Sequence, residues 1–395
     1  MEILFYRYNS ICEPDVLQCF RKMGLTVIEE TTQISRKDVS AGQTVEAVDA
    51  LLKKHRFLFV FSINFFPALA EICNIYQVVY VSWTVDVPVM ELFSPALSRP
   101  CNRCFMFDRS QYEYFKDRNP GHIFHLPLAT NTERWDRVIG AASTAEHKRF
   151  SADVSFIGSL YNEKNPYAAI KGMGEELRGY LDGIMKAQMQ LWGVNFLEKL
   201  LTDKELDELI PLIPDLNCPP CKDDPAVQRY MIAHSFLGSQ LAVTERERYL
   251  GAVSEKFSLD LYTLSDASAL PKAKLHPKGA KSLTEMPLVF HESRINLNIT
   301  MRPIATGLSL RLFDVCGCGG FLLSNYQEEL PELYEPGLEA ETFSCVEEMM
   351  DKIEWYTTHE DERAAIARAA YERTKAEHTY EKRISEMIRI VNSTI

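Results

Sequence analysis

Short apolar runs alternate with amphipathic stretches through the first third of the chain. The runs EILFY, LTVIE, FLFVFS and VVYVSW consist largely of apolar residues, which is typical of strands that are covered on both faces. Between the first two runs, apolar residues recur at the spacing of one helical face: Val16, Cys19, Phe20 and Met23. Strands that alternate with helices in this way predict a parallel sheet wrapped by helices.

A polar segment rich in small residues, from Asn131 to Asp153, interrupts this pattern, and we place a domain boundary near residue 140. The first predicted domain spans residues 1–140. The second spans residues 150–375; it begins with the strand VSFIGS and contains a helical insertion at about residues 166–256. Residues 376–395 predict a last helix that crosses back toward the first domain. The predicted fold class is α/β, with two Rossmann-like domains facing across a cleft, and such sheets bind ligands at the carboxyl ends of their strands.

Composition narrows the function classes. The 395 residues are 46% hydrophobic and 25% charged, as in ordinary globular proteins, and the formal net charge is -12. This charge disfavours a non-specific nucleic-acid binder, because such proteins replace counterions with many Lys and Arg side chains. No apolar run reaches the roughly 18 residues needed to span a bilayer, and the N-terminus lacks the basic start of a signal peptide. We therefore expect a cytoplasmic protein without a transmembrane segment.

Ten cysteines without a secretory signal indicate free thiols in a reducing compartment. Two C-x-x-C pairs stand out, Cys101 with Cys104 and Cys218 with Cys221. They could hold a structural zinc, since four thiolates bind that metal tetrahedrally. Alternatively they are unrelated thiols, because the pairs are far apart in sequence and the first begins a predicted strand. The sequence leaves both interpretations open.

The stretch NITMRPIATGLSLRLFDVCGCGGFLLS predicts a strand, a loop, a helix and a second strand. The helix begins at about Gly307 to Ser309, shortly after the strand ends. Its first N–H groups lack partners within the helix, and together with the helix dipole they favour a bound anion such as a diphosphate. Arg302 and Arg311 could add charge-assisted hydrogen bonds. Asp314 could accept hydrogen bonds from a ribose diol.

A simpler interpretation of the same stretch is also open. Arg311 and Asp314 could form a local ion pair on a solvated helix. Gly319 and Gly320 would then serve only as the left-handed end of that helix. A lysine-rich loop upstream, PKAKLHPKGAKS, could likewise attract an anionic ligand or simply be solvated.

The segments FHESRINLNITMRPIATGLSLRLFDVCGCGGFLLSNYQEELPELYEPGLE and YTTHEDERAAIARAAYERTKAEHTYEKRI resemble the C-terminal domain of CgeB-like glycosyltransferases, a group related to the large GT-B family. DVSFIGSLYNEKNPYAAI resembles the first strand and loop of that donor domain. FVFSINFFPALAEIC, VYVSWTVDVP and PLATN resemble the acceptor-side domain often paired with it. The resemblance covers nearly the whole chain. It implies the GT-B fold and a hexosyltransferase-type enzyme that moves a sugar from a nucleotide-diphosphate donor to an acceptor hydroxyl.

In the larger GT-B family, two acidic residues with seven residues between them flank this helix start. The second usually holds the nucleotide ribose and falls here on Asp314. The first usually contacts the donor sugar and falls on Thr306, which is not acidic, so the donor sugar and the retaining or inverting outcome stay open. The resemblance implies a donor site made of the following residues: Gly158, Ser159, Lys164, Asn298, Arg302, Thr306, Gly307, Arg311 and Asp314.

The first domain must then carry the acceptor site. The segment VSWTVDVPV ends its fourth strand, and Asp86 there is the candidate catalytic base that takes the proton of the acceptor hydroxyl. Trp83 could stack against a sugar face, and Asn64, after the third strand, could bind the acceptor. Alternatively, Asp86 caps the turn before Pro88 and Trp83 lies in the core.

The chain contains no D-x-D, the pair with which transferases of the other major fold hold a divalent metal. We therefore expect neither metal nor cofactor, with the helix dipole and basic side chains stabilising the departing nucleotide diphosphate. The acceptor is expected to be a glycan, a protein or a small molecule. Two other functions stay open: a nucleotide-sugar epimerase with the same double fold, and a catalytically silent nucleotide- or sugar-binding module.

Overall fold

The computed structural model describes residues 1–36, 39–217, 222 and 224–394, which divide into two compact units. The first unit contains residues 1–129 together with those from Thr379 onward, and the second contains residues 130–378. The chain therefore passes between the units twice, after Ala129 and after His378. The first passage comes earlier than the boundary near residue 140 that the sequence predicts, so the polar segment from Asn131 to Asp153 belongs to the second unit.

The first unit contains a parallel sheet, in which the described residues form six strands in the order β2-β1-β3-β4-β5-β6. The strands are β1 (Glu2–Tyr6), β2 (Thr26–Glu30), β3 (Phe57–Ile63), β4 (Val79–Thr84), β5 (Asn102–Met106) and β6 (Ile123–His125). The helices that precede residue 130 are α1 (Glu13–Lys22), α2 (Thr32–Ser35), α3 (Ala41–Lys54), α4 (Pro67–Tyr76) and α5 (Arg109–Phe115). Short 3-10 turns cover Met90–Phe93, Pro95–Ser98 and Lys116–Arg118. The strand–helix alternation predicted from the sequence is confirmed here.

Aromatic residues build the core beneath this sheet. The rings of Phe5, Phe20 and Phe61 meet edge to face with centroids 5.0 to 6.3 Å apart, and all three side chains are fully buried. Such edge-to-face pairs add to the free energy gained by burying the rings. At the start of α4, Pro67 stands where a helix leaves its N–H groups unpaired, so its missing N–H costs nothing.

The second unit contains a second parallel sheet, in which six strands of the described chain lie in the order β12-β11-β10-β7-β8-β9. The strands are β7 (Ala152–Ile157), β8 (Leu259–Tyr262), β9 (Lys274–His276), β10 (Ser293–Asn298), β11 (Leu322–Asn325) and β12 (Glu341–Phe343). The order runs outward in both directions from β7 and β10. The neighbouring pair β7 and β10 is therefore the switch point at which open α/β sheets bind ligands.

Helices cover both faces of the second sheet. They are α6 (Thr132–Ala141), α7 (Thr144–Phe150), α8 (Glu175–Gln188), α9 (Leu197–Leu200), α10 (Asp203–Leu209), α11 (Pro225–Met231), α12 (Gly238–Lys256), α13 (Met286–Glu292), α14 (Leu310–Gly317), α15 (Leu330–Leu333), α16 (Val346–Thr358) and α17 (Glu360–Glu377). One π-helical turn (Ile232–Leu237) and 3-10 turns at Asn162–Lys164, Tyr167–Ala169, Ile210–Leu212 and Pro214–Asn217 complete the unit. Helices α8 to α12 form the insertion between β7 and β8.

The two faces of the second sheet differ in chemistry. One face is an apolar core in which Val154, Phe156 and Leu261 pack against side chains of α12 and α16. The other face buries polar side chains, for example Ser155 Oγ, which donates to Asn296 Oδ1 at 3.0 Å. Burying a polar group is costly unless it has a hydrogen-bond partner, and these groups pair with one another.

The last helix, α18 (Tyr380–Ser393), belongs to the first unit. The ring of Tyr380 meets the edge of the Trp83 ring at 6.1 Å. Arg383 Nε donates to the carbonyl of Pro127 at 3.1 Å, and Arg103 Nε donates to Thr394 Oγ1 at 2.6 Å. Residues far apart in sequence thus complete one core.

Two short strands depart from the sequence prediction. Strand β9 lies within the lysine-rich stretch that the sequence indicates to be a loop, and β12 follows a segment with no strand signal. Both are edge or near-edge strands of three residues, which are too short to show an apolar pattern. In the part of the chain that the structure describes, no helix is long and apolar enough to cross a membrane.

Candidate functional site

The loop after β7 turns tightly at the switch point. The amide of Gly158 donates to the carbonyl of Tyr262 at 3.0 Å, and a Cβ added at Gly158 would lie 3.2 Å from the Phe156 ring. Ser159 Oγ donates to Glu163 Oε1 at 2.7 Å and accepts the amide of Tyr161 at 2.8 Å. Tyr161 itself adopts a left-handed backbone with φ 67°. Residues held in that region cluster at functional sites, where the surrounding structure fixes them.

Helix α14 begins beside the same switch point, after the carboxyl end of β10. Its N-cap residue, Ser309, makes no side-chain cap to the helix. Instead, Ser309 Oγ donates to Asn298 Oδ1 at 3.3 Å, while Asn298 Nδ2 donates to Thr300 Oγ1 at 3.0 Å and to Ser324 Oγ at 2.9 Å. The first N–H groups of α14 are therefore left for an external acceptor, and the helix dipole favours one that is negatively charged.

Two buried guanidinium groups lie in this region. Arg311, in the first turn of α14, has a buried Nη1 without a hydrogen-bond partner, and Arg246, from α12, has a buried Nε in the same condition. Burial, and to a smaller extent the nearby Arg311, lowers the pKa of Arg246 to about 10, while Tyr161 and Glu245 oppose that shift. Burial also lowers the pKa of Arg311, while Asp314 opposes that shift. Both groups are still cations at neutral pH, and each retains an unpartnered N–H.

Arg302, the other arginine predicted for the donor site, is held by protein groups. Its Nε and Nη2 donate to the carboxylate of Glu245 at 2.6 to 3.1 Å, and its Nη1 and Nη2 donate to the carbonyls of Leu191 and Met189. The guanidinium also lies 3.4 Å from the centre of the Trp192 ring. The predicted contact of Arg302 with the nucleotide stays a prediction; in this structure each guanidinium nitrogen has a protein acceptor.

Asp314 has a protein partner as well. Its Oδ1 accepts from Thr130 Oγ1 at 2.6 Å, and that hydroxyl in turn accepts from Trp135 Nε1 at 2.7 Å. The Asp314 side chain is buried. Its predicted contact with the ribose stays a prediction. In the structure, the carboxylate accepts a hydrogen bond from Thr130, at the start of the second unit.

The non-acidic Thr306 is buried beside an acid from elsewhere in the chain. Thr306 Oγ1 donates to Glu329 Oε1 at 2.8 Å, and the Glu329 amide donates to the carbonyl of Thr306 at 3.0 Å. Gly307 follows, also buried. These residues fix the loop that leads into α14, and no described contact makes them ligand-binding. The side chain of Lys164 lies outside the described part of the structure.

A cavity of about 580 Å³ opens at the carboxyl ends of β8 and β9. Its wall includes Tyr262 and His276, whose rings stack with centroids 4.0 Å apart and 5° between their planes. Arg149, Lys278 and Lys281 line the same cavity and make its surroundings basic. The carbonyl of Tyr262 accepts from the amide of Gly158, whereas the described residues that line the cavity include none from α12 or α14.

The first unit has its own polar cluster at the switch point between β1 and β3. Asn64 Nδ2 donates to Tyr8 Oη at 2.9 Å and to Asp86 Oδ2 at 2.7 Å, and Asn64 Oδ1 accepts the amide of Val85 at 3.0 Å. Asn64 has a left-handed backbone with φ 55°, and Asp86 is exposed. Burial raises the pKa of Tyr8, and the Asp86 carboxylate raises it further, so the phenol stays protonated.

Trp83 does not belong to this cluster. Its side chain is 0% exposed, and its Nε1 donates to the carbonyl of Leu126 at 3.1 Å. The predicted stacking of Trp83 on a sugar stays a prediction, and the buried ring fits the alternative that Trp83 lies in the core. The side chain instead fixes β4 against the chain after β6 and against α18.

The cysteine pairs give no metal site within the described residues, where no group of three potential metal ligands is found. Burial raises the pKa of Cys101 to about 11 and that of Cys104 to about 12. Cys104 is buried and Cys101 is half-buried, and both are free thiols. Cys218 and Cys221 lie outside the described residues.

Comparisons with known proteins find a glycosyltransferase-like domain in this chain and a fold that solved structures share. Residues 256–389, which include β8 to β12 and α14, match the sequence model of a family described as glycosyl transferase-like. No curated protein sequence matches the chain. The chain therefore contains a glycosyltransferase-like domain, most of which lies in the second unit. The assignment to a CgeB-like group rests on the resemblance alone.

Solved structures share the fold over the whole chain. The sucrose-phosphate synthase of Thermosynechococcus elongatus aligns with a TM-score of 0.55 at 9% identity, covering 100% of this chain and 98% of that one. A Rickettsia africae glycosyltransferase aligns with a TM-score of 0.53 at 7% identity, with coverage of 100% and 98%. Anabaena Alr3699/HepE, solved with UDP and glucose, aligns with a TM-score of 0.51 at 11% identity and complete coverage of both chains. These likenesses establish the GT-B fold with two Rossmann-like domains.

Sequence reasoning missed Arg246, Tyr161 and Tyr8. Nothing in the local sequence TERERYL separates the buried Arg246 from the neighbouring Arg248, since both lie in a charged stretch of a helix. Tyr8 could have been found from the sequence, because ligands in open α/β sheets bind at the carboxyl ends of the strands. Tyr8 follows the carboxyl end of β1, next to the switch point of its sheet.

Proposed function

We propose that this protein is a hexosyltransferase-type glycosyltransferase that moves a sugar from a nucleotide-diphosphate donor to an acceptor hydroxyl without a metal ion. The observation that carries the proposal is the uncapped start of α14 at the switch point of the second sheet, with the buried and unpartnered Nη1 of Arg311 in its first turn. This arrangement lies within the glycosyltransferase-like domain. It suits a diphosphate, which needs N–H donors and positive charge.

The remainder of the donor would extend toward the cavity at the carboxyl ends of β8 and β9. A volume of about 580 Å³ is within the range of small-molecule sites, and the stacked rings of Tyr262 and His276 offer an apolar wall to a nucleoside. Gly158 and Ser159 bring the backbone close to the diphosphate. Because Anabaena Alr3699/HepE was solved with UDP and glucose, uridine is the first base to test here.

The acceptor would bind at the cluster of Tyr8, Asn64 and Asp86 in the first unit. The exposed Asp86 carboxylate takes the proton of the acceptor hydroxyl, whose oxygen forms a bond to the sugar C1. The bond from C1 to the diphosphate oxygen breaks, and its electron pair leaves with the nucleoside diphosphate. Asn64 holds Asp86 in place through its Nδ2. A cytoplasmic location and a CgeB-like role are part of the same proposal.

A thermal-shift panel of UDP, GDP, dTDP, CDP and ADP, each with EDTA or with Mg²⁺, tests the donor site. We expect one diphosphate to stabilise the protein equally well in EDTA, by about 2.7 kcal/mol at a hundredfold excess over Kd. The variant Arg311→Gln should lose that stabilisation. Arg294→Gln is the matched control, because Arg294 pairs with Asp153 at the surface of the same unit.

A second measurement tests turnover with the corresponding nucleotide-sugar. Release of the nucleoside diphosphate should fall at least a hundredfold in Asp86→Asn while diphosphate binding is kept. If none of the five diphosphates raises the melting temperature, or if Mg²⁺ is required, the proposed donor site is incorrect. Binding without any release by the unaltered protein would instead favour the silent binding module.

A further inference from the structure

Arg246 reaches the donor region from outside the glycosyltransferase-like domain. It lies on α12, in the helical insertion, and its side chain is 8% exposed. Its Nη1 donates to the carbonyl of Ser159 and its Nη2 to the carbonyl of Ile299 at 2.8 Å. These acceptors follow the carboxyl ends of β7 and β10, so the guanidinium is anchored across the switch point.

The environment of Arg246 compensates its charge only in part. The acceptors of Nη1 and Nη2 are neutral carbonyl groups, the Tyr161 side chain is a further hydrogen-bond partner, and Nε has no partner. The neighbouring carboxylate, Glu245, is bound to Arg302. A second cation, Arg311, is near enough to disfavour the charged form of Arg246. Buried charges in folded proteins are normally paired, so two adjacent cations with unpartnered N–H groups indicate a missing anion.

Arg302 is a second buried arginine of the same unit, and its charge is paired. It is as well buried as Arg246, but it has a bidentate carboxylate in addition to its carbonyl acceptors. Both arginines also contact an aromatic ring, Tyr161 at 4.6 Å for Arg246 and Trp192 at 3.4 Å for Arg302. The difference between the two sites is therefore the absent counter-ion at Arg246.

We propose that Arg246 is a catalytic residue of the donor site, which binds the diphosphate together with Arg311 and stabilises it as it departs. This inference rests on the proposed glycosyltransferase function. When the bond from the sugar C1 to the diphosphate oxygen breaks, the electron pair remains on that oxygen. Nε of Arg246 and Nη1 of Arg311 then donate hydrogen bonds to the added negative charge, and neither group transfers its proton.

The anchoring by two carbonyl groups makes this contribution preorganised. Because Ser159 and Ile299 hold Arg246 before any ligand arrives, its Nε needs no reorganisation when charge develops on the diphosphate. The helical insertion thus gains a role in the chemistry. It supplies a cation that the matched domain, residues 256–389, does not contain at this position.

Inorganic pyrophosphate is the probe, since it carries the diphosphate without base or sugar. Isothermal titration calorimetry should show binding to the unaltered protein and a loss of affinity of tenfold or more in Arg246→Gln. Arg246→Lys, which keeps the charge but not the fork of donors, should lie between the two. Arg294→Gln, which alters a surface arginine of the same unit, should keep its pyrophosphate affinity within threefold.

A structural role would weaken all ligands alike, so the nucleoside that matches the preferred diphosphate is titrated in parallel. Arg246→Gln should keep the nucleoside affinity while it loses that for pyrophosphate, and its turnover of the nucleotide-sugar should fall by at least tenfold. An unchanged pyrophosphate affinity in Arg246→Gln, or an equal loss for nucleoside and pyrophosphate, overturns the inference. If both Arg246→Gln and Arg311→Gln bind pyrophosphate normally, the proposed donor site is incorrect as well as the inference. If Arg311→Gln loses pyrophosphate binding and Arg246→Gln keeps it, only the inference about Arg246 is incorrect.

Discussion

The junction between α14 and β11 depends on Gly320, and Gly320→Ala is the substitution that tests it. A Cβ added there would lie 2.4 Å from the carbonyl oxygen of Phe290 and 2.8 Å from Asn296 Nδ2. The carbonyl belongs to the backbone of α13 and cannot rotate away. Asn296 Nδ2 donates to the same carbonyl at 2.9 Å and to that of Phe321 at 3.2 Å, so its hydrogen bonds would be disturbed as well.

The expected cost follows from these contacts. Inserting a methyl group into a packed site costs about 1–3 kcal/mol. Each disturbed hydrogen bond adds about 1 kcal/mol. The free energy of unfolding should therefore fall by about 3–5 kcal/mol, which lowers the melting temperature of a unit of this size by roughly 6–20 °C.

The matched control is the preceding glycine. Gly319 has φ 72°, and a Cβ there would approach no atom closer than 3.7 Å. Gly319→Ala should therefore cost only the left-handed backbone strain, about 1–2 kcal/mol. Differential scanning calorimetry and urea unfolding of both variants measure the difference. If Gly320→Ala is no less stable than Gly319→Ala, the close approach of α13 is not what demands a glycine.

Three further predictions concern the donor region. Asn298→Ala removes the acceptor of Ser309 Oγ and two buried donor contacts, so urea unfolding should show a loss of about 1–3 kcal/mol; an unchanged midpoint would contradict this. Thr130→Val removes the hydroxyl between Asp314 and Trp135 and should destabilise by a similar 1–3 kcal/mol, whereas a neutral result would show that the contact contributes nothing. The pKa of Arg246 is lowered to about 10, so its positive charge is present well below that pH and is lost as the pH rises through it. If added sulfate binds as an anion at Arg246, the increase in melting temperature that it causes should become smaller between pH 8 and pH 10.5. An increase that stays constant over this range would refute the prediction.

The sequence predicts strands best where burial on both faces leaves a continuous apolar signal. The strands from β1 to β4 and the strand–loop–helix unit around α14 follow from such runs and from the glycines that end them. By contrast, β9 pairs with β8 through Lys274, Leu275 and His276, and this pattern has no local apolar signature. Only the pairing partner makes it a strand.

The donor region shows why the remaining residues could not be assigned from the sequence. Arg302 and Arg311 have the same chemistry and both lie near the start of one helix, but only Arg302 meets the buried carboxylate of Glu245, which belongs to the insertion. The same insertion brings in Arg246. Likewise, Trp83 is excluded from any surface because α18, almost three hundred residues later, covers it. Contacts between distant segments decide each of these cases.

The glycines illustrate the same limit at a single junction. The sequence predicts that Gly319 and Gly320 together provide a left-handed helix end. In the structure Gly319 alone has the positive φ, whereas Gly320 is needed because another helix backbone lies against it. Local conformational preference explains the first glycine, and only tertiary packing explains the second.

The return of the last helix to the first unit has a consequence for synthesis on the ribosome. Residues 1–129 emerge first, but the side chains that complete their core, such as Tyr380 and Arg383, follow only after the whole second unit of about 250 residues. At roughly 5–20 residues per second, the first unit must wait roughly 12–50 s in an incomplete state. During that interval, the surface around Trp83 that α18 later covers is exposed to solvent.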